Sequence, residues 1–386
     1  MVNETISLKK CSFLVYRAFD LAEEIDLERV QEISELKNVS IGSSITQKGK
    51  RLAFTRPTKK TLIVRNPPLH LELGITSIQV GDLFFEAPTS VKFWDYGALT
   101  ILYRLELPEG TALETLLEIS TQLQANVGTE DNIDQIAKKQ VSEIKLVFDA
   151  AFTRPNHTDL SEDYSIVFIE SFESLTPEQG IEWLLKHGPI AELILGEKKG
   201  ILSTHSKESI LEAVFQYAKS DLTVIDWNAS VVVEPSGTLD IPDLLEFALS
   251  HLLEFRYFDH LIDDKLKLLY DSLERERHTF FRSRFAKLLR EANQRFLEIS
   301  EFTERVNNSL KVVGDYYLAV LFREAIKQFR ILDWQNTVTR KNRTLAEISE
   351  LVEGEMNVFR GHTLELVVIG LITFEVISTI VKSVPH

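Results

Sequence analysis

The chain of 386 residues is long enough for two domains, and its 44% hydrophobic and 26% charged residues are typical of a folded protein with a substantial core. Its formal net charge of −15 argues against broad nucleic-acid binding, because phosphate contacts need clustered cations. A single cysteine, Cys11, excludes an internal disulfide framework and a metal site built from cysteines alone. The N-terminal residues resemble neither a secretory signal nor a transit peptide, so we expect the folded body to stay in the compartment of synthesis.

Strand and helix patterns alternate over the first 235 residues. A strand is predicted at 11–19 and a helix at 26–36, followed by a glycine- and proline-containing loop with short strands at 40–70. Aromatic and β-branched residues predict strands at 78–85 and 91–107, with a turn around Pro88 between them.

Further helices and strands complete this region. Helices are predicted from Thr111 onward, where Glu114 would form a capping box, and at 131–148 and 207–219. Another helix is predicted to be capped by Thr176 with Pro177 at its first position. A strand is predicted at 164–172 and a strand or hairpin at 222–234. This order predicts an α+β fold with helices on one face of an antiparallel sheet. A ferredoxin-like core is one candidate for this arrangement.

Helix patterns alone follow the turn at 235–237. An amphipathic pattern covers 241–273, and apolar seams at three- and four-residue steps run through 296–320 and 345–366. A bend at 332–334 favours an antiparallel helical hairpin, and a multi-chain coiled coil is the alternative. The predicted domains are an α+β domain at 1–235, a hairpin or coiled-coil domain at 241–363 and an apolar C-terminal helix at 364–382.

The apolar segment 366–381 carries one charge, Glu375, and is marginal in length for a spanning helix, which needs about 20 apolar residues. Because a glutamate in lipid is costly unless it is paired or protonated, Glu375 favours self-association. The segment is predicted either to contact a membrane as a tail anchor or to be buried in an oligomer. The predicted assembly or membrane residues are Leu364, Glu365, Ile369, Ile372, Glu375 and Val376.

Residues 364–376, LELVVIGLITFEV, resemble the C-terminal signature of the required-for-meiotic-nuclear-division family, which runs Leu-Glu-Trp, isoleucines, then Leu-Ile and Glu-Val. Residues 342–352 are similar to that family's preceding helix, and residues 91–107, with FWDYGA at 93–98, are similar to its N-terminal strand pair. Leu366 stands where the family has tryptophan. The resemblance implies an α+β body, a coiled-coil segment and a membrane-associated tail. Eukaryotic members sit in mitochondrial membranes and support organelle translation, and the family has no established catalytic chemistry.

No motif in the chain identifies a reaction. The stretch 42–51 has the wrong spacing for a phosphate loop, and GxGxxG, HExxH and GxSxG do not occur. His251, His260 and Asp264 are the best candidates for an alternative function as a metal-dependent hydrolase, since His260 and Asp264 are one helical turn apart. No second motif supplies further ligands, so neither a metal site nor a cofactor is predicted.

A basic stretch interrupts this acidic chain and interleaves cations with phenylalanine and leucine. Such a helix can lie on anionic lipid or contact RNA phosphates, although its glutamates favour a solvated face. An RNA- or ribosome-associated membrane tether is therefore another alternative. The predicted contact residues are Arg275, Arg277, Arg282, Arg284, Lys287 and Arg290.

The leading hypothesis is a non-enzymatic, membrane-associated scaffold or adaptor that self-assembles through its C-terminal helices. A homo-oligomer and an unidentified protein partner are expected, and a nucleic-acid partner is not. The expected location is the cytoplasmic side of a membrane, or the cytoplasm if the terminal helix is buried in an oligomer.

Overall fold

The computed structural model describes residues 6–37, 67–124, 132–156, 160–275, 299–304 and 316–383, with the short pieces 40–41, 43–44, 50–51 and residue 297. The chain divides into two compact units. The first comprises Met1–Tyr257 and Phe302–Gln335, and the second comprises Phe258–Glu301 and Asn336–His386.

The described strands all belong to the first unit. They are β1 (Ser7–Asp20), β2 (Ala22–Ile25), β3 (Ser40–Ile41), β4 (Ser43–Ser44), β5 (Lys50–Arg51), β6 (Leu69–Val80), β7 (Leu83–Phe93), β8 (Ala98–Glu106), β9 (Thr111–Ala112), β10 (Phe152–Pro155), β11 (Ser161–Phe172), β12 (Val214–Phe215), β13 (Leu222–Ile225) and β14 (Ala229–Val233).

The described helices range from six residues in α5 to 53 residues in α9. They are α1 (Leu27–Lys37), α2 (Leu113–Gln124), α3 (Ile133–Phe148), α4 (Pro177–His187), α5 (Ile190–Leu195), α6 (Thr204–Leu211), α7 (Asp240–Arg275), α8 (Tyr316–Gln328) and α9 (Ile331–Ser383). A 3-10 turn at Asp149–Ala151 follows α3, and residues 299–304 are also helical.

Ten of the described strands form one mixed sheet. Its order is β12-β13-β14-β11-β1-β8-β7-β6-β5, with β9 paired to the start of β1. The pairing of β11 with β14 is parallel, and the other pairings in this sheet are antiparallel. The predicted α+β class is confirmed, but the prediction of a purely antiparallel sheet is wrong at β14, which returns parallel to β11 after three intervening helices.

Side-chain alternation gives the sheet two different faces. On β7, Val91 and Phe93 belong to the main hydrophobic core, which also includes residues of α1 to α6. Lys92 between them points to the opposite face and contacts α7. Helices α1 to α6 of the predicted α+β body thus share one core on the first face, and α7, whose amphipathic pattern begins at Asp240, packs on the second face.

Several local predictions are confirmed by the hydrogen bonds at helix ends. Thr176 caps α4 in a capping box with Gln179, and Pro177 occupies the first turn. The helix predicted at 131–148 corresponds to α3, where Asn132, a residue not singled out from the sequence, caps the helix by accepting a hydrogen bond from the Asp134 amide. The helix predicted at 207–219 is shorter, since α6 ends at Leu211 and β12 follows.

Two predicted boundaries are wrong. Pro88 lies within β7 opposite Ile75 and beside a register shift in β6, where a residue without an amide hydrogen is tolerated. The turns instead fall at 81–82 and 94–97. Thr111 does not cap α2, because it pairs with Leu8 in the sheet and its hydroxyl donates to the Pro108 carbonyl.

The domain limits predicted at 1–235, 241–363 and 364–382 stay a prediction. Strands end at Val233 and helix α7 begins at Asp240, so the change in secondary structure falls where the sequence placed it. The compact units divide the chain further along, after Tyr257 within α7.

Candidate functional site

A buried charge cluster, defined as Lys92, Thr100, Asp243 and Glu246, joins the second face of the sheet to α7. The Lys92 ammonium donates to Asp243 Oδ1 at 2.7 Å and to Glu246 Oε2 at 2.5 Å. The Thr100 hydroxyl donates to the other oxygen of Glu246 and accepts a hydrogen bond from the Trp94 indole at 3.2 Å. One cation thus faces two carboxylates, and each oxygen of Glu246 has a donor.

Burial and charge act in opposite directions within this cluster. Burial alone would lower the pKa of Lys92, but the Asp243 and Glu246 carboxylates outweigh it and raise that pKa above its ordinary value. Burial raises the pKa of Glu246 despite the attraction of Lys92. Burial also raises the pKa of Tyr16 on the neighbouring strand β1, and the carboxylates of Glu246 and Asp243 add to that effect.

The geometry of the cluster fits a structural role. The Glu246 side chain is 1% exposed and that of Lys92 is 6% exposed, so no face of this pair is open to a substrate. A buried pair of this kind fixes how two elements pack, because any shift would leave a charge without its partner in the interior. The cluster therefore sets the register of α7 against the sheet.

A second buried acid lies at the start of β11. The Glu162 carboxylate accepts a hydrogen bond from the Arg256 guanidinium of α7, which also lies 5.8 Å from the centre of the Trp334 ring. Burial raises the pKa of Glu162 to about 7, against the lowering effect of Arg256, and the charge of Asp163 adds to the rise. This group therefore titrates near neutral pH.

The three residues considered for a metal site differ in their exposure to solvent. His251 is fully buried among aromatic rings, with Phe247 4.2 Å and Tyr96 5.8 Å from its ring centre. His260 and Asp264 belong to the second unit and are exposed. Among the described residues, no group of three or more His, Cys, Asp or Glu side chains is arranged to hold a metal ion.

Two neighbouring acids in the second unit have a cationic partner. The Lys341 ammonium of α9 lies 2.7 Å from an oxygen of Asp259 and 2.7 Å from an oxygen of Asp263. These carboxylates thus pair the two helices of that unit rather than coordinate a ligand.

Most of the basic stretch lies outside the described residues. Arg277, Arg282, Arg284, Lys287 and Arg290 belong to the part that the structure leaves undescribed, and Arg275 is the last residue of α7. The hypothesis of lipid or RNA contact there stays a prediction.

The exposed apolar segment, defined as residues 364–376 of α9, carries nine large apolar side chains that are between 48% and 72% exposed. All six predicted assembly or membrane residues lie in it. Within the part of the chain that the structure describes, no helix is long and apolar enough to cross a membrane. The exposed members are Leu364, Leu366, Val367, Val368, Ile369, Leu371, Ile372, Phe374 and Val376.

The buried charge cluster was not predicted from the sequence. A signal for it does exist, since Lys92 interrupts a run of strand residues and Glu246 interrupts an otherwise apolar helix face. The sequence does not show which residues pair with each other, because Lys92 lies 151 residues before Asp243 and 154 residues before Glu246.

Comparison with known proteins identifies the family of the chain. The family described as "Uncharacterized protein MJ0711, N-terminal domain" matches residues 10–240, which is more than half of the chain. The chain belongs to this family. The uncharacterized protein MJ0711 of Methanocaldococcus jannaschii is 21% identical over 294 residues, covering 73% of this chain and 89% of that relative. No solved structure matches the chain.

Proposed function

We propose that the protein is a non-enzymatic scaffold or adaptor that assembles with further copies of itself through the exposed apolar segment of α9. The observation that carries this proposal is the exposure of nine large apolar side chains around one helix. A helix that is apolar all round is normally buried in a protein core or in lipid. A covering surface is therefore needed, and a second copy supplies one.

The area of the segment is sufficient for a stable interface. Nine half-exposed apolar side chains amount to roughly 900 Å², close to the ~800 Å² per partner of a standard protein interface. At about 25 cal/mol per Å², covering this surface contributes roughly 20 kcal/mol before opposing terms. That exceeds the estimated ~4–15 kcal/mol cost of lost translational and rotational freedom on association.

In a second arrangement, the same segment contacts a membrane, which would give the protein the membrane-associated location expected from the sequence. Two exposed carboxylates, Glu365 and Glu375, lie within the segment. Placing an ionised side chain at the centre of a bilayer costs about 3 kcal/mol or more. A protein partner avoids this cost when its interface leaves the carboxylates in water, so we favour a second copy.

The finer features of the fold also belong to the proposal. The chain order β1, α1, β7, β8, α2 with α3, and β11, with β1 and β8 at the centre, supports a ferredoxin-like core. The length of α9, 53 residues, supports a helical hairpin or coiled-coil region. The resemblance of residues 364–376 to the required-for-meiotic-nuclear-division family implies a coiled-coil segment and a membrane-associated tail, so it supports the coiled-coil region and the membrane arrangement.

Sedimentation velocity of the full chain tests the proposal. We expect an oligomer that dissociates on dilution, and a much weaker one for the double variant Leu371→Gln, Phe374→Gln, because glutamine preserves helix propensity but removes apolar surface. The matched control is Leu36→Gln, Leu146→Gln, which removes two leucines of α1 and α3 that are 81% and 82% exposed. A monomeric wild-type chain would refute self-assembly, and flotation of that monomer with phosphatidylcholine vesicles would establish membrane contact instead.

A further inference from the structure

The last two residues of α7 in the first unit, Arg256 and Tyr257, contact the sheet by different chemistry. The Arg256 guanidinium donates a hydrogen bond to the Glu162 carboxylate at the start of β11. The Tyr257 hydroxyl donates at 3.0 Å to the side-chain carbonyl of Asn156, whose backbone amide donates to the Leu21 carbonyl just after β1. The first contact is ionic and depends on the protonation of an acid, whereas the second joins two neutral groups.

The Arg256 side chain contacts both the acid and an aromatic ring. It is 34% exposed, whereas the Glu162 side chain is 9% exposed. The Trp334 ring at the start of α9, also in the first unit, has its centre 5.8 Å from the guanidinium carbon, within the range of a cation–π contact. The guanidinium can therefore reach water by rotation of its own side chain, while Glu162 stays buried.

Opposing effects set the protonation of Glu162. Burial and the charge of the neighbouring Asp163 raise its pKa, and Arg256 lowers it, which leaves a pKa of about 7. Further charged groups on the surrounding elements are Asp20 at the end of β1, which accepts from Asn156, Asp226 in the turn before β14, and Arg330 with Asp333, which pair with each other at 2.8 Å where α9 begins.

We propose that Glu162 and Arg256 form a proton-operated latch on the end of α7. When Glu162 takes up one proton from water, a pair of opposite charges becomes a neutral carboxyl group beside a cation. Arginine stays charged near neutral pH, and its charge is better solvated by water than by a neutral buried partner. The guanidinium therefore leaves β11 and the Trp334 ring for solvent, while Tyr257 keeps α7 on the sheet.

The latch responds over a narrow range of pH. With a pKa of about 7, the ionised fraction of Glu162 falls from roughly nine-tenths at pH 8 to roughly one-tenth at pH 6. At the higher pH the contact between β11 and α7 is ionic and Arg256 is held in place. At the lower pH the contact is lost, and the site gains one positive charge that faces solvent.

The fluorescence of Trp334 tests the latch, because it responds to the position of the guanidinium. Each signal is the difference between a full chain and its Trp334→Phe counterpart, which subtracts the light of the other tryptophans. For the wild type we expect the emission to change between pH 6 and pH 8, with a midpoint near pH 7. Glu162→Gln is neutral at every pH, so it should abolish this change and give at pH 8 the wild-type signal of pH 6.

A second variant keeps the test independent of any packing defect at Glu162. Asp163 is exposed and its charge raises the pKa of Glu162, so Asp163→Asn should keep the transition and move its midpoint to lower pH. Two matched controls should leave the transition unchanged. Glu182→Gln removes an exposed glutamate that pairs with a lysine in α4, and His260→Gln removes the exposed histidine four residues after Arg256.

Each of several results would overturn the latch. They are a wild-type signal that is flat across neutral pH, a transition that persists in Glu162→Gln, and a midpoint of Asp163→Asn that stays in place or rises. Loss of the transition in either control would assign it to another group and would also overturn the latch. Self-assembly is a separate question, because the latch lies within one copy of the first unit.

Discussion

Replacing Lys92 by methionine removes the single cation of the buried charge cluster while nearly keeping the side-chain length. Asp243 and Glu246 would then face each other without a positive partner, and Glu246 is 1% exposed. Removing one partner of a buried ion pair typically costs about 3–5 kcal/mol, because the remaining charge is left uncompensated. We expect a loss in that range in the free energy of unfolding.

The pH dependence of this loss identifies its cause. Burial already raises the pKa of Glu246, and removal of Lys92 would raise it further. Below that raised pKa the carboxyl group is neutral in the folded variant, so the penalty falls as the pH is lowered. The destabilisation of Lys92→Met relative to the wild type should therefore shrink as the pH is lowered.

Urea unfolding followed by circular dichroism at several pH values measures both effects. The matched control is Lys139→Met, which changes an exposed lysine of α3. The triple variant Lys92→Met, Asp243→Asn, Glu246→Gln should recover part of the lost stability, since it removes the charges together. A loss below about 1 kcal/mol, or a loss that does not vary with pH, would refute the argument that the ion pair is buried and coupled.

Three further predictions concern stability. Gly97→Ala should destabilise by about 2 kcal/mol or more in urea unfolding, since φ is +104° and the new Cβ would lie 1.8 Å from the Ala22 carbonyl oxygen; Gly200→Ala, with positive φ but open space, should cost less. Glu162→Gln should flatten the dependence of the free energy of unfolding on pH, because the pKa of Glu162 is about 7 in the folded chain and lower in the unfolded chain. The contribution of the Glu162 carboxyl group to stability is therefore greatest at acid pH and falls by up to roughly 3 kcal/mol as the pH rises through 7. An unchanged pH profile would contradict this. Thr176→Ala should cost about 1 kcal/mol in the same assay, through loss of the α4 cap.

Local sequence patterns correctly predicted the helices and strands whose signals come from residues close together in the chain. Strand β11 was found because it is a short run rich in β-branched and aromatic residues, and it is buried continuously at 166–170; helix α3 was found because its buried residues follow the helical repeat. The start of α4 was found because the capping box is formed by residues three positions apart. These features depend on neighbours in sequence, so tertiary structure does not change them.

Features that depend on distant partners were not predictable in the same way. Pro88 has strong turn preference, yet a register shift in the neighbouring strand β6 accommodates it inside β7. The parallel pairing of β14 with β11 depends on where α4 to α6 return the chain. The ion pairs of Lys92 join residues more than 150 positions apart, so the local sequence marks Lys92 and Glu246 as unusual but does not identify their partners.

The exposed apolar segment shows how helix geometry changes the interpretation of a correct sequence signal. The sequence identified the segment and drew attention to Glu365 and Glu375 as assembly residues. Placed on one helix, Glu365 and Glu375 lie about 80° apart, whereas the nine exposed apolar side chains lie all around the helix axis. A partner that covers the segment therefore meets apolar side chains whichever side it approaches, and the loss of association expected for Leu371→Gln, Phe374→Gln tests that contact without assigning a role to either carboxylate.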